Sequence, residues 1–121
     1  MNNTGKSKQY DLEERTLEFA KKIRVFVKGL PRTLPNTEDI KQLIRASGSV
    51  GANYIEANEA LSKKDFLMHI KISRKEAKEN SYWLKLIDTR GNNKLKQQRT
   101  GLMDESDQLT RIFGAIVTKS Q

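Results

Sequence analysis

Residues 42–87, QLIRASGSVGANYIEANEALSKKDFLMHIKISRKEAKENSYWLKLI, predict two helices joined by a very short turn. The first carries Ala46, Ser47, Gly48, Ser49, Gly51 and Ala52 where a helix is usually bulky. The second is apolar on two separate faces. One face can close a bundle; the other is left over and needs cover. This arrangement points to an oligomer-forming helical module rather than a catalyst.

Four helices are expected, over residues 11–30, 36–60, 63–89 and 94–118, with residues 1–10 disordered. The two prolines, Pro31 and Pro35, bracket one linker. Upstream, Leu12, Phe19, Ile23, Phe26 and Leu30 follow helical spacing, with Lys21, Lys22, Arg24 and Lys28 on other sides. The second helix is expected to be capped by Asn36 or Thr37, with Glu38 and Asp39 against its dipole. Its inner stripe includes Ile40, Leu43, Ser47, Val50, Gly51 and Tyr54. Gly48 and Gly51 each weaken a helix by about 1 kcal/mol relative to alanine. Either close packing compensates for them or the helix breaks there.

Ser62 and Asp65 form a start resembling a capping box. The third helix then shows Phe66, Ile70, Ser73, Ala77, Asn80, Leu84 and Ile87, alternating steps of four and three. Its second stripe is Met68, Ile72, Glu79, Trp83 and Leu86, and Gly91 is available as the C-terminal stop. Leu95, Leu102, Leu109, Phe113 and Ile116 define the fourth helix, with Gly101 as a kink or a frayed start. The expected fold is all-α, a single antiparallel up-down-up-down four-helix bundle spanning residues 1–121.

Catalytic chemistry finds little support. The chain has no cysteine, which excludes disulfides and thiolate metal sites. His69 is its one histidine, with no HExxH neighbour and no Glu-x-x-His pair of the di-iron kind. It reads as a helix-side histidine near a core or interface edge. Gly48-Ser49-Val50-Gly51 lacks the Lys-Ser/Thr ending of a phosphate loop. Glu56 with Glu59 and Glu76 with Glu79 read as ion-pair partners for Arg45, Lys75 or Lys78. No enzyme activity and no cofactor are expected. No apolar run approaches the roughly 18 residues of a membrane span, and the N-terminus lacks a signal-peptide core, so a cytoplasmic protein is expected.

Charge is the positive clue. Lysine plus arginine number 23 against 15 acidic residues, a net charge of +8. Such a balance attracts polyanions, and several copies together would add their fields. The candidate phosphate contacts are Lys71, Arg74, Lys75 and Lys78 on the third helix, with Lys21 and Lys22 on the first. The candidate subunit contacts are Met68, Ile72, Trp83 and Leu86, with Arg45 and Glu56 pairing either across subunits or with the third helix. Two functions are expected candidates: a basic bundle binding RNA or DNA, and a protein-interaction adaptor with an apolar groove.

Arg45, the small run Ser47 to Ala52, Asn53, Glu56, Ser62, Asp65 and Phe66 stand in a distinctive order. In this the chain resembles the bacterial four-helix bundle proteins first noticed as reading frames in intervening sequences of large-subunit ribosomal RNA genes. The resemblance covers the central third well and the flanking helices by pattern. It implies a homopentamer without established enzymatic activity. A related group serves diversity-generating retroelements, binding nucleic acid and a reverse transcriptase through a basic surface. Here Ser49-Val50-Gly51-Ala52 stands where Ser-Ile-Pro-Ala is common, which argues against a kink at Gly51 and leaves the fold intact.

Overall fold

The computed structural model describes residues 4–121, with side-chain surroundings from residue 12 onward. Four helices follow one another: α1 (Thr4–Lys28), α2 (Leu34–Asn58), α3 (Lys63–Leu86) and α4 (Asn93–Ser120). Each packs on its neighbour in the chain, and α1 closes against α4. Among the described residues the diagonal pairs make no close backbone approach, which is the up-down-up-down order. Cross-helix pairs run in opposite directions along every seam. Along the α2–α3 seam, for instance, Asn36 meets Asp88 just past the end of α3, while Asn53 meets His69 near its start.

The ends of these helices refine the sequence expectation. Of residues 1–10, expected to be disordered, 1–3 lie outside the described residues, while α1 extends back to Thr4. Gly5 apart, this stretch contains no helix breaker, and extending an existing helix adds a hydrogen bond for each residue fixed. The α2 cap is Thr33, not Asn36 or Thr37: its hydroxyl accepts from the Asn36 amide at 3.2 Å. Pro35 fits inside the first turn because its missing N–H would have had no helical partner. Ser62 caps α3 as expected, accepting from the Asp65 amide at 3.1 Å. Gly91 does not stop α3, which already ends at Leu86. Instead Arg90 (φ 52°) and Gly91 (φ 72°) form a left-handed pair that turns the chain into α4. Asn92 caps α4, which runs unbroken through Gly101.

The core is built from the expected stripes. Phe19, Ile23 and Phe26 of α1, Leu43 and Val50 of α2, Ile70, Ala77 and Leu84 of α3, and Leu109 and Phe113 of α4 are almost completely buried. Tyr54 and Phe113 meet at 5.8 Å between ring centres. Serine replaces bulk where helices come closest. Ser73 Oγ donates to the Val50 carbonyl at 2.9 Å, and Ser106 Oγ donates to the Ala77 carbonyl. These hydroxyls stitch α3 to both of its neighbours.

Asn36 has a different task from capping. It is buried, its Nδ2 donates to the carbonyls of Pro31 and Asp88, and its Oδ1 accepts from the Asp88 amide. One side chain thereby joins the α1–α2 linker to the α3–α4 linker. The two central glycines also separate. A Cβ on Gly51 would lie 2.9 Å from Thr16 Oγ1, so α1 crosses α2 there at close range. A Cβ on Gly48 would meet nothing within 4 Å.

Two stability measurements check this account. Asn36→Ala leaves buried amide and carbonyl groups unpaired and is expected to cost about 1–3 kcal/mol in urea unfolding. Gly51→Ala and Gly48→Ala should move thermal stability in opposite directions. The first overpacks against Thr16, at a cost of about 1–3 kcal/mol. The second gains up to about 1 kcal/mol of helix propensity at an open position.

Candidate nucleic-acid and subunit interfaces

The helical repeat of α3 divides its surface. Ile70, Ser73, Ala77, Asn80 and Leu84 face inward. Met68, Tyr82 and Leu86 face outward, 48%, 57% and 49% exposed. The second apolar stripe is therefore split. Its outer members are open, whereas Ile72 and Trp83 lie on the α2 side and are half-buried, with Trp83 packed against the core. Tyr82, absent from the expected stripe, stacks edge-on against Trp83 at 5.1 Å and adds aromatic surface outside.

Arg45 pairs within its own chain. Its Nη2 lies 3.6 Å from Glu76 Oε1 and 3.7 Å from Glu79 Oε1, one helix across. Glu76 is buried and its Oε1 has no hydrogen bond among the described residues, so this guanidinium compensates its charge. Glu56 is exposed and makes no ion pair with a described residue. His69 Nδ1 lies 3.0 Å from Asn53 Oδ1. Asn53 Nδ2 donates to the Ser49 carbonyl, which fixes the amide and assigns the hydrogen to His69 Nδ1. The histidine is thus tied to an amide, without a carboxylate to make it a base. Among the described residues no cluster of three His, Cys, Asp or Glu side chains could hold a metal. Burial pushes the Tyr54 hydroxyl above its ordinary pKa, opposed by its hydrogen bond with Asn58 and reinforced by nearby Glu13. That is a core phenol's behaviour.

The candidate phosphate contacts on α1 and α3, Lys21, Lys22, Lys71, Arg74, Lys75 and Lys78, are all exposed. They do not form one patch. Arg74 and Lys78 run along the α4 side of α3, with the Arg74 guanidinium lying over Gly114. Lys71 and Lys75 sit nearer the outward apolar residues.

A stronger concentration lies at one end of the bundle, where α1 and α3 finish and α2 and α4 begin. Residues 24–41 and 82–99 carry nine basic side chains against three acidic ones, six of the eight net positive charges. Arg32 and Arg99 are partly consumed there. Arg32 donates to the Val27 and Leu30 carbonyls, and Arg99 to those of Leu84 and Ile87, capping α1 and α3. Lys28, Lys85, Arg90, Lys94 and Lys96 remain exposed. Local sequence pattern does not join Arg90, Lys94 and Lys96 to Lys28, some sixty residues earlier. The antiparallel topology alone would have placed both linkers at the same end.

Two grooves flank α1. Between α1 and α4 lies the larger, about 620 Å³, floored by Phe19, Phe26 and Leu102 and lined by Val25, Gly101 and several acids. Arg15 spans it, donating twice to Glu105 and once to Gln108. Between α1 and α2 lies one of about 350 Å³, lined by Leu17, Gly48, Ala52 and Ile55 with Lys21 and Arg24 at its rim. No described helix is long and apolar enough to cross a membrane.

This architecture has a relative of known structure. A crystal structure of a protein of unknown function from the S23 ribosomal protein family, from Bacteroides thetaiotaomicron VPI-5482, is 28% identical. It superposes with a TM-score of 0.76, over 92% of this chain and 98% of that one. No curated protein matches the chain. The sequence itself matches the 23S rRNA-intervening sequence proteins over residues 8–115, and with the shared bundle this places the chain in that family.

Proposed function

We propose that this protein is a non-enzymatic, cytoplasmic homo-oligomer, a pentamer by its family resemblance, whose basic surface binds nucleic acid. The observation that carries the reading is the gathering of six net positive charges at one end of the bundle. Lysines on flexible stems around a rigid end suit phosphate neutralisation, which is largely independent of base sequence. The exposed aromatic surface is too small to act as a stacking platform. Arg74, Lys78, Lys21 and Lys22 extend the positive field along the flanks, and Lys71 and Lys75 add to it wherever α3 stays uncovered. Self-association is supported by the open half of the α3 stripe, since a lone subunit leaves Met68, Tyr82 and Leu86 in water. The same surface would serve a reverse transcriptase or another protein partner, as the family resemblance implies. An adaptor without a nucleic-acid role is the second reading, favoured by the apolar floor of the α1–α4 groove.

Fluorescence anisotropy with labelled RNA and DNA over a salt series separates the two. Binding is expected to weaken steeply with salt. Lys94→Glu with Lys96→Glu should lower affinity at every sequence tested and flatten the log–log salt slope by roughly 1.5. Absence of association at low ionic strength would remove the nucleic-acid role and leave the adaptor. For self-association, Met68→Glu with Leu86→Glu is the cleaner probe than Trp83→Glu, because Trp83 also packs on its own core. The pair should reduce the particle mass in light scattering without loss of helicity.

A further inference from the structure

The outward stripe of α3 and the groove on the far flank of the bundle are complementary in apolarity and charge. The stripe sets Lys71 and Lys75 among Met68, Tyr82 and Leu86. The α1–α4 groove inverts this: an apolar floor, Val25 60% exposed on its wall, and Glu14, Glu18 and Asp104 around it. Glu18 pairs with Lys21 at 3.8 Å, and Arg15 is already bonded to Glu105, so with Lys22 the lining stays net acidic. This is an exception on a chain of charge +8. Gly101 opens the groove further. A Cβ there would meet nothing within 4 Å, although a glycine inside a helix weakens it. No packing within the subunit accounts for that space.

We infer that the α3 face of one copy docks in the α1–α4 groove of the next, an inference that rests on the homo-oligomer reading above. From Glu14 to Phe26 the groove runs about 18 Å along α1, and from Met68 to Tyr82 the stripe runs about 21 Å along α3, with Leu86 about 6 Å beyond. Charge selects between the two grooves beside α1. The α1–α2 groove carries Lys21 and Arg24 against Glu13, a net positive lining that disfavours the α3 lysines, whereas the net acidic α1–α4 groove attracts them. Topology fixes the kind of assembly. α1 and α3 are diagonal in the bundle, so the two patches lie on different sides of each copy. Such a head-to-tail contact cannot close as a two-fold dimer; it makes a ring or a filament. Docking withdraws Lys71 and Lys75 from solvent and leaves Arg74, Lys78 and the basic end to phosphate.

Charge reversal read by light scattering and sedimentation tests this. The full-length wild-type chain should show a mass of at least three times 13.9 kDa. Lys71→Glu with Lys75→Glu, and separately Glu14→Lys with Glu18→Lys, should each lower the mass towards the monomer with helicity retained. All four substitutions in one chain should restore it, a rescue that misfolding would not give. If the wild type assembles but reversal in the groove leaves its mass unchanged, the docking is overturned while self-association stands. Release of a co-purified polypeptide by that variant, with mass otherwise unchanged, gives the groove to a foreign partner and likewise overturns it. A two-fold dimer overturns the head-to-tail geometry. A wild-type monomer at high concentration overturns the oligomer reading itself.

Discussion

The close approach of α3 to both of its neighbours sets the rest of the molecule. Ser73 and Ser106 allow it: a hydroxymethyl is small, and each hydroxyl donates to a carbonyl of the adjacent helix, so no polar atom is stranded at either contact. With α2, α3 and α4 drawn together, the inward face of α3 is fully used and its opposite face is turned to solvent. The fourth seam cannot be equally tight. α1 meets α2 closely where Gly51 leaves room for Thr16, and it meets α4 more loosely. The bidentate Arg15–Glu105 pair bridges that looser seam, and the groove beside it is a consequence of the same uneven packing.

The second consequence is electrical. An antiparallel bundle brings the α1–α2 and α3–α4 linkers to one end, and Asn36 bonds them together there. The basic residues of both linkers and their flanking turns therefore share one surface. Part of that charge is structural, since Arg32 and Arg99 cap the carbonyl ends of α1 and α3. The lysines around them are under no such obligation. A single cluster thus combines arginines that hold helix ends with lysines left to face a polyanion.

Most of the fold was legible because burial enforces a helical period. The steps of four and three from Phe66 to Ile87 place α3, and Ser62 marks its start. The ends were less legible where side chains compete for the same task. Thr33, Asn36 and Thr37 can all cap a helix; tertiary bonds recruited Asn36 to Asp88 and left the cap to Thr33. Gly48 and Gly51 look alike in sequence, yet only Gly51 faces a neighbouring helix, because that depends on where α1 crosses. The surfaces were legible in kind but not in extent. Periodicity separates the two faces of α3 without saying that α2 covers Trp83 more than Met68. The acidic groove draws on residues some ninety positions apart, such as Arg15 and Glu105, which no local pattern connects.

The uneven seams also grade the molecule's internal motions. Among the described residues the backbone of α1 comes close to its two neighbours at fewer places than that of α3 does to either of its own, so α1 has least to lose on detaching. Amide protons of α1 should then exchange through partial openings that leave the other three helices paired.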